Sequence, residues 1–170
     1  NAYFADVGNA SMTLFRGEPD RKYSFTFSPT NWMEGGFYYS DLTGKEYGNG
    51  YQQSYKDKGF NVKFKLKDQD KFPALAIGLN DFAGTGMYSS EYIVSSYKYK
   101  NFDFTLGLGW GNLAGSAAFT NPFTQISDKF LDRQSSVGEG GDFNFGNYFA
   151  GKDASLFAGM EYVINDNLRF

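Results

Sequence analysis

The run Phe102-Asp103-Phe104-Thr105-Leu106-Gly107-Leu108-Gly109-Trp110 alternates large apolar side chains with small or polar ones without a break. Successive side chains of a β-strand point to opposite faces. Phe102, Phe104, Leu106, Leu108 and Trp110 therefore form one apolar face, and Asp103, Thr105, Gly107 and Gly109 the other. A soluble sandwich gives the same alternation, but its buried face is usually aliphatic and β-branched. Here aromatic residues bracket an aliphatic middle, as in a transmembrane barrel strand that meets both bilayer interfaces.

Other segments repeat the pattern. Phe60, Val62, Phe64 and Leu66 oppose Asn61, Lys63, Lys65 and Lys67, while Leu75, Ile77 and Leu79 oppose Ala74, Ala76, Gly78 and Asn80. Tyr23, Phe25 and Phe27 share a face against Ser24, Thr26 and Ser28. Weaker alternation places strands at 11–15, 32–41, 89–99 and 155–163. Residues 42–58 have the Gly, Tyr, Gln and Asn composition of a loop, and 111–153 form a long aromatic and Gly-rich loop with no sustained period. No helix-length amphipathic window stands out, so the class is all-β: an antiparallel meander forming part of a transmembrane, outer-membrane β-barrel. Short turns at 68–71 and 100–101 alternate with the long loops, the asymmetry expected of barrel turns and external loops. The membrane-facing set is then Phe60, Val62, Phe64, Leu66, Phe102, Phe104, Leu106, Leu108 and Trp110. Trp32 and Trp110, with Tyr38 and Tyr39, suit an interfacial girdle.

Composition narrows the chemistry. A mean hydropathy of −0.48 and the lack of a long apolar run argue against helical membrane spans, whereas a barrel is compatible because half of each strand faces the lumen. Cysteine and histidine are both absent, which removes disulfides, thiolate metal sites and the commonest general base. No enzyme, cofactor or metal is expected. A formal charge of −3 with mixed signs gives no basic stripe for nucleic acid. Asn165-Asp166-Asn167 reads as a hairpin turn, with Leu168-Arg169-Phe170 opening another strand. Residues 1–170 are accordingly expected to be a barrel segment cut from a longer protein.

Candidate functional residues fall into three groups. Lys63, Lys65 and Lys67 form a lumen-facing basic ladder that would attract an anionic polysaccharide; the plainer alternative is a solvated face balanced by neighbouring carboxylates. Phe123, Phe143, Phe145, Tyr148 and Phe149 are possible sugar contacts, or the packing of the loop itself. Asp81 and Glu91 flank a Gly84-Thr85-Gly86 turn and could be read as a hydrolytic carboxylate pair. The competing assignment makes Asp81 a cap for that turn and points Glu91 into the lumen.

Several stretches resemble the YjbH-like family of outer-membrane proteins linked to exopolysaccharide and capsule production, which includes the group-four capsule barrel protein. They are Phe27-Ser28-Pro29-Thr30-Asn31-Trp32-Met33-Glu34, the segment 57–66, Pro73 to Tyr92 with its Gly78-Leu79-Asn80-Asp81-Phe82 and Gly84-Thr85-Gly86 elements, 101–111, Asn121-Pro122-Phe123 and 154–162. The resemblance implies an outer-membrane barrel that helps polysaccharide cross that membrane, with the lipid bilayer, the polymer and export-machinery subunits as partners. It carries over no catalytic residue. Other readings are a general porin or adhesin-type barrel, or a barrel-embedded polysaccharide or lipid hydrolase.

Overall fold

In the computed structural model, described for all residues except 19, 49, 51, 116–117, 135–142, 144 and 166–167, the chain is an all-β antiparallel meander. The main path runs through β1 (Ala10–Arg16), β2 (Asp20–Phe27), β3 (Met33–Glu46), β4 (Ser54–Lys67), β5 (Ala74–Asn80), β6 (Ser90–Tyr99), β7 (Phe102–Gly111), β9 (Asp153–Asn165) and β10 (Leu168–Arg169). The short β8 (Ala118–Thr120) pairs with β9 beside this path. Among the described residues the sheet remains open, with β1 and β10 at its edges. The strand after Asn165 is present as β10, although residues 166 and 167 of the expected turn lie outside the described residues.

Strand pairing sorts the side chains onto two faces. One face carries the rows Tyr99–Phe102–Tyr162, Tyr97–Phe104–Met160, Ser95–Leu106–Ala158 and Ile93–Leu108–Leu156, read across β6, β7 and β9. Much of it has no protein over it: Leu106 is 55% and Met160 62% exposed. We call this the outer face. On the opposite, inner face Ala74, Ala76 and Val94 form the small apolar core together with Ala2, with Tyr92 and Phe157 packed against it.

On the inner face, aromatic residues lie directly opposite glycines on neighbouring strands: Tyr38 faces Gly59, Tyr92 faces Gly78 and Phe157 faces Gly107. A Cβ added at Gly78 would come within 2.2 Å of the Tyr92 ring, and one at Gly107 within 2.0 Å of Phe157. The rings thus lie over the neighbouring backbone, a close approach that glycine allows.

Two expectations change here. Residues 42–58 are mostly strand, because β3 runs on to Glu46 and β4 begins at Ser54. Backbone pairing needs no apolar side chain, so a strand can continue with polar residues beyond an apolar layer. Tyr38, expected in a girdle, points inward and is 1% exposed, donating to Asp57 Oδ2 at 3.0 Å. The expected end asymmetry holds only in part: 28–32, 68–73 and 100–101 connect strands at one end, while the other carries the long 81–89 connection but also the short β1–β2 turn.

Replacing Gly78 by Val must displace the Tyr92 ring and should cost about 1–3 kcal/mol, the usual range for overpacking. A thermal unfolding midpoint unchanged from wild type would contradict the ring-over-glycine packing.

Candidate functional site

The inner face is crossed by the N-terminal segment, residues 1–9, which is held by side chains of the wall. Ala2 N donates to Ser96 Oγ at 2.9 Å, Ala5 N to Glu34 Oε1 at 2.8 Å, and the Tyr3 hydroxyl to Gln69 Oε1 at 2.8 Å. Lys63 and Lys65 of the lysine ladder sit beneath this strap, and Lys67 lies beyond it against Phe72. Lys63 pairs with Glu34 at 2.9 Å, donates to the Tyr3 carbonyl and lies 4.1 Å from the Phe4 ring centroid. Lys65 pairs with Asp68 at 2.9 Å and Lys67 with Asp70 at 2.7 Å. Each ammonium therefore has a carboxylate partner, the balanced arrangement weighed above. Cation–π contacts such as Lys63 with Phe4, and Lys98 at 4.2 Å from Tyr3, add about 0.5–1 kcal/mol each where solvent reaches them.

Toward the long-loop end, the inner face holds a buried polar cluster. Asp57, from β4, accepts from the Tyr38 hydroxyl and from Thr85 Oγ1 at 2.6 Å. Asp81 follows β5 with φ 54° and accepts from Tyr88 N at 3.0 Å, closing the turn as an Asx cap does. Its second oxygen, Oδ1, is buried without a hydrogen-bond partner among the described residues. Burial raises the Asp81 pKa above the usual carboxylate value, and the Asp57 charge adds to the rise.

The other carboxylate of the supposed pair is elsewhere. Glu91 lies in register between Leu79 and Trp110, on the outer face, and does not point into the lumen as expected. A carboxylate among such neighbours needs a cation, and residues 121–133 and 145–151 fold back over this end of the wall to supply one. Arg133 grips Glu91 with both terminal nitrogens, at 2.7 and 2.9 Å, and Phe149 N donates to it at 2.9 Å. Gly111, at φ +62°, makes room: a Cβ there would lie 2.7 Å from the guanidinium carbon and 2.6 Å from the Ser89 carbonyl.

Trp110, expected in the membrane-facing set and its girdle, is 0% exposed beneath the same cap. Phe123 stacks on it at 5.2 Å and Phe149 meets it edge-on at 5.1 Å. Its indole nitrogen donates to Asn121 Oδ1 at 2.8 Å, and Asn121 Nδ2 in turn donates to the Phe149 and Gly151 carbonyls. The remaining loop aromatics lie farther out: the Tyr148 hydroxyl donates to the Phe82 carbonyl, and Phe143 stacks on the exposed Phe145. Of the membrane-facing set, Phe60, Leu66, Phe102, Phe104 and Leu106 are exposed, while Val62, Phe64 and Leu108 are half-buried. Asn121, Arg133 and Asp57 were not among the candidate functional residues of the sequence. A glutamate sharing the parity of Ile93, and the Asn-Pro start of a turn, are the signals that point to the first two.

Against known proteins, the whole chain, residues 1–170, matches the family described as exopolysaccharide biosynthesis protein YbjH. It belongs to the YjbH family. A relative, the uncharacterized lipoprotein YjbH of Escherichia coli strain K12, is 36% identical over 166 residues. That alignment covers 95% of this chain and 24% of the relative, so the chain spans about a quarter of the relative's length. No solved structure matches. The YjbH-like segments include the cap's Asn121 hub, the Asp81 turn and the glycine-bearing strands, so they coincide with contacts that shape this sheet.

Two outcomes follow. Replacing Arg133 by Met strands a buried carboxylate and should destabilise the cap by about 3–5 kcal/mol, whereas the Glu91→Gln, Arg133→Met pair recovers much of that; limited proteolysis near residue 130 reads both. For Asp81 the folded pKa is raised, so its stabilising contribution is full at acid pH and fades as pH climbs through the folded value. Asp81→Asn should therefore flatten the loss of stability between acid and neutral pH, as followed by thermal unfolding across a pH series.

Proposed function

We propose that this chain forms part of the wall of an outer-membrane β-barrel that helps exopolysaccharide or capsular polymer leave the cell. The observation carrying the reading is the outer face. Strand register assembles Phe104, Leu106, Leu156 and Met160 into a broad apolar surface with aromatic rows toward one end and no cover from the described residues. Soluble monomers rarely leave a contiguous apolar patch of more than a few hundred Å² open to water. Strands β6 and β7, of 10 residues each, have the length that a tilted strand needs to cross a hydrocarbon layer.

Membership of an exopolysaccharide-biosynthesis family supports the polymer as cargo. The inner face suits a passage role better than a reaction. Lys63 and Lys65 are matched by carboxylates and Lys22 and Lys98 lie over tyrosine rings, while Asp81 and Glu91 lie on opposite sides of the sheet, so the pair that a hydrolase would need is not assembled. In this proposal the protein is not an enzyme, and the bilayer, the polymer and other export subunits are its partners.

Deleting the gene for the full-length protein should lower surface and secreted polysaccharide, measured as total polymer sugar per cell. Unchanged polymer together with single-channel conductance would favour a general porin instead. The full-length protein should also require detergent to remain monodisperse.

A further inference from the structure

The outer face of β1 to β4 changes character by rows. Cross-strand partners Met12, Phe25, Phe37 and Phe60 form an apolar row. Two residues nearer the long-loop end comes Leu14, Tyr23, Tyr39 and Lys58, and two further on Arg16, Arg21, Asp41 and Lys56. Apolar groups thus give way to tyrosines and then to cations within three rungs of one ladder. Asp41 is the carboxylate of that last row, and it is engaged by Lys56 at 2.7 Å and by Ser54. Arg16, Arg21 and Lys58 are exposed and make no salt bridge among the described residues.

Directly below the tyrosines lies an almost wholly apolar trough of about 390 Å³, bordered by Phe25, Phe37, Phe60, Phe82 and Met33. Gly35 opens its floor: a Cβ there would meet no atom within 4 Å. A trough of this chemistry takes a hydrocarbon chain. Lys58 one rung above its upper edge, and Arg16 and Arg21 two rungs above it, none in a salt bridge among the described residues, take an anion attached to that chain.

We propose that this ladder is a binding site for an anionic lipid of the surrounding leaflet, with its phosphate headgroup on Arg16, Arg21 and Lys58 and one acyl chain in the trough floored by Gly35. The site rests on the membrane reading above, since a lipid reaches this face where the sheet meets a bilayer. It goes further by fixing the depth of the wall: the tyrosine row lies at the interface and the cationic row at headgroup level, on the side of the long loops.

The test uses the full-length protein in detergent and native mass spectrometry, with dioleoyl phosphatidylglycerol, dioleoyl phosphatidylcholine and inorganic phosphate as probes. Wild type should retain phosphatidylglycerol in preference to phosphatidylcholine, and millimolar phosphate should not displace it. Each cation near a membrane surface contributes about fivefold, so the R16Q, R21Q, K58Q triple variant should lose on the order of a hundredfold in phosphatidylglycerol affinity and hence its preference. G35L, which projects into open space, should weaken both lipids while leaving the protease-resistant fold intact. Equal retention of the two lipids, an unaffected triple variant, or displacement by inorganic phosphate would overturn the site. Flotation with lipid vesicles separates the two levels: a protein that floats without headgroup preference sinks this site alone, and one that neither floats nor needs detergent sinks the membrane reading with it.

Discussion

Leu106, Leu156, Met160 and Phe104 stand on a broad, hydrogen-bonded sheet with no second layer over them among the described residues, and the rest of the structure is organised around that bare side. In a two-layer β protein, burying such groups is the main source of stability, at roughly 25 cal/mol per Å² of apolar surface removed. Here the protein's own core is small and lies on the other face, built from Ala74, Ala76, Val94 and Ala2. The side chains best able to drive collapse are turned outward. What holds the strands together is backbone pairing, the fit of rings onto glycines and the polar clasps at either end.

Those clasps are unlike in kind. The strap at residues 1–9 is fastened by single hydrogen bonds and ammonium–ring contacts, each modest. The cap over Trp110 and Glu91 is closed by a bidentate ion pair and by an asparagine whose side chain satisfies an indole and two carbonyls. Buried pairs of this sort add little net stability relative to an apolar substitute, yet they penalise any arrangement that separates them. The cap is therefore specified more than it is strengthened.

Much of this was legible in the residues. Alternation at Phe102 to Leu108, and again at Phe60 to Leu66 and Leu75 to Leu79, located strands and assigned faces, because period two is a local property. Trp110 and Glu91 were misplaced for the converse reason: their cover arrives from Phe123, Arg133 and Phe149, whose approach depends on a loop path that no local period encodes. Residues 42–58 look like a loop because polar composition and chain punctuation were taken together, although the register of Asp41 with Lys56 and Leu42 with Tyr55 continues the ladder there. The neutralisation of Lys63, Lys65 and Lys67 by Glu34, Asp68 and Asp70 depends on which carboxylates the turns and neighbouring strands present, and no local period encodes that.

The strap also alters what a passenger would feel along this surface. With Lys63 and Lys65 tied to carboxylates and tucked under Phe4, the inner face around the strap offers rings, amides and hydroxyls with its charge locally balanced. In the export role proposed above, a charged polymer passing such a lining would meet many shallow, interchangeable footholds and no deep electrostatic trap. Shallow footholds favour movement over residence, since a carrier surface that grips hard also releases slowly.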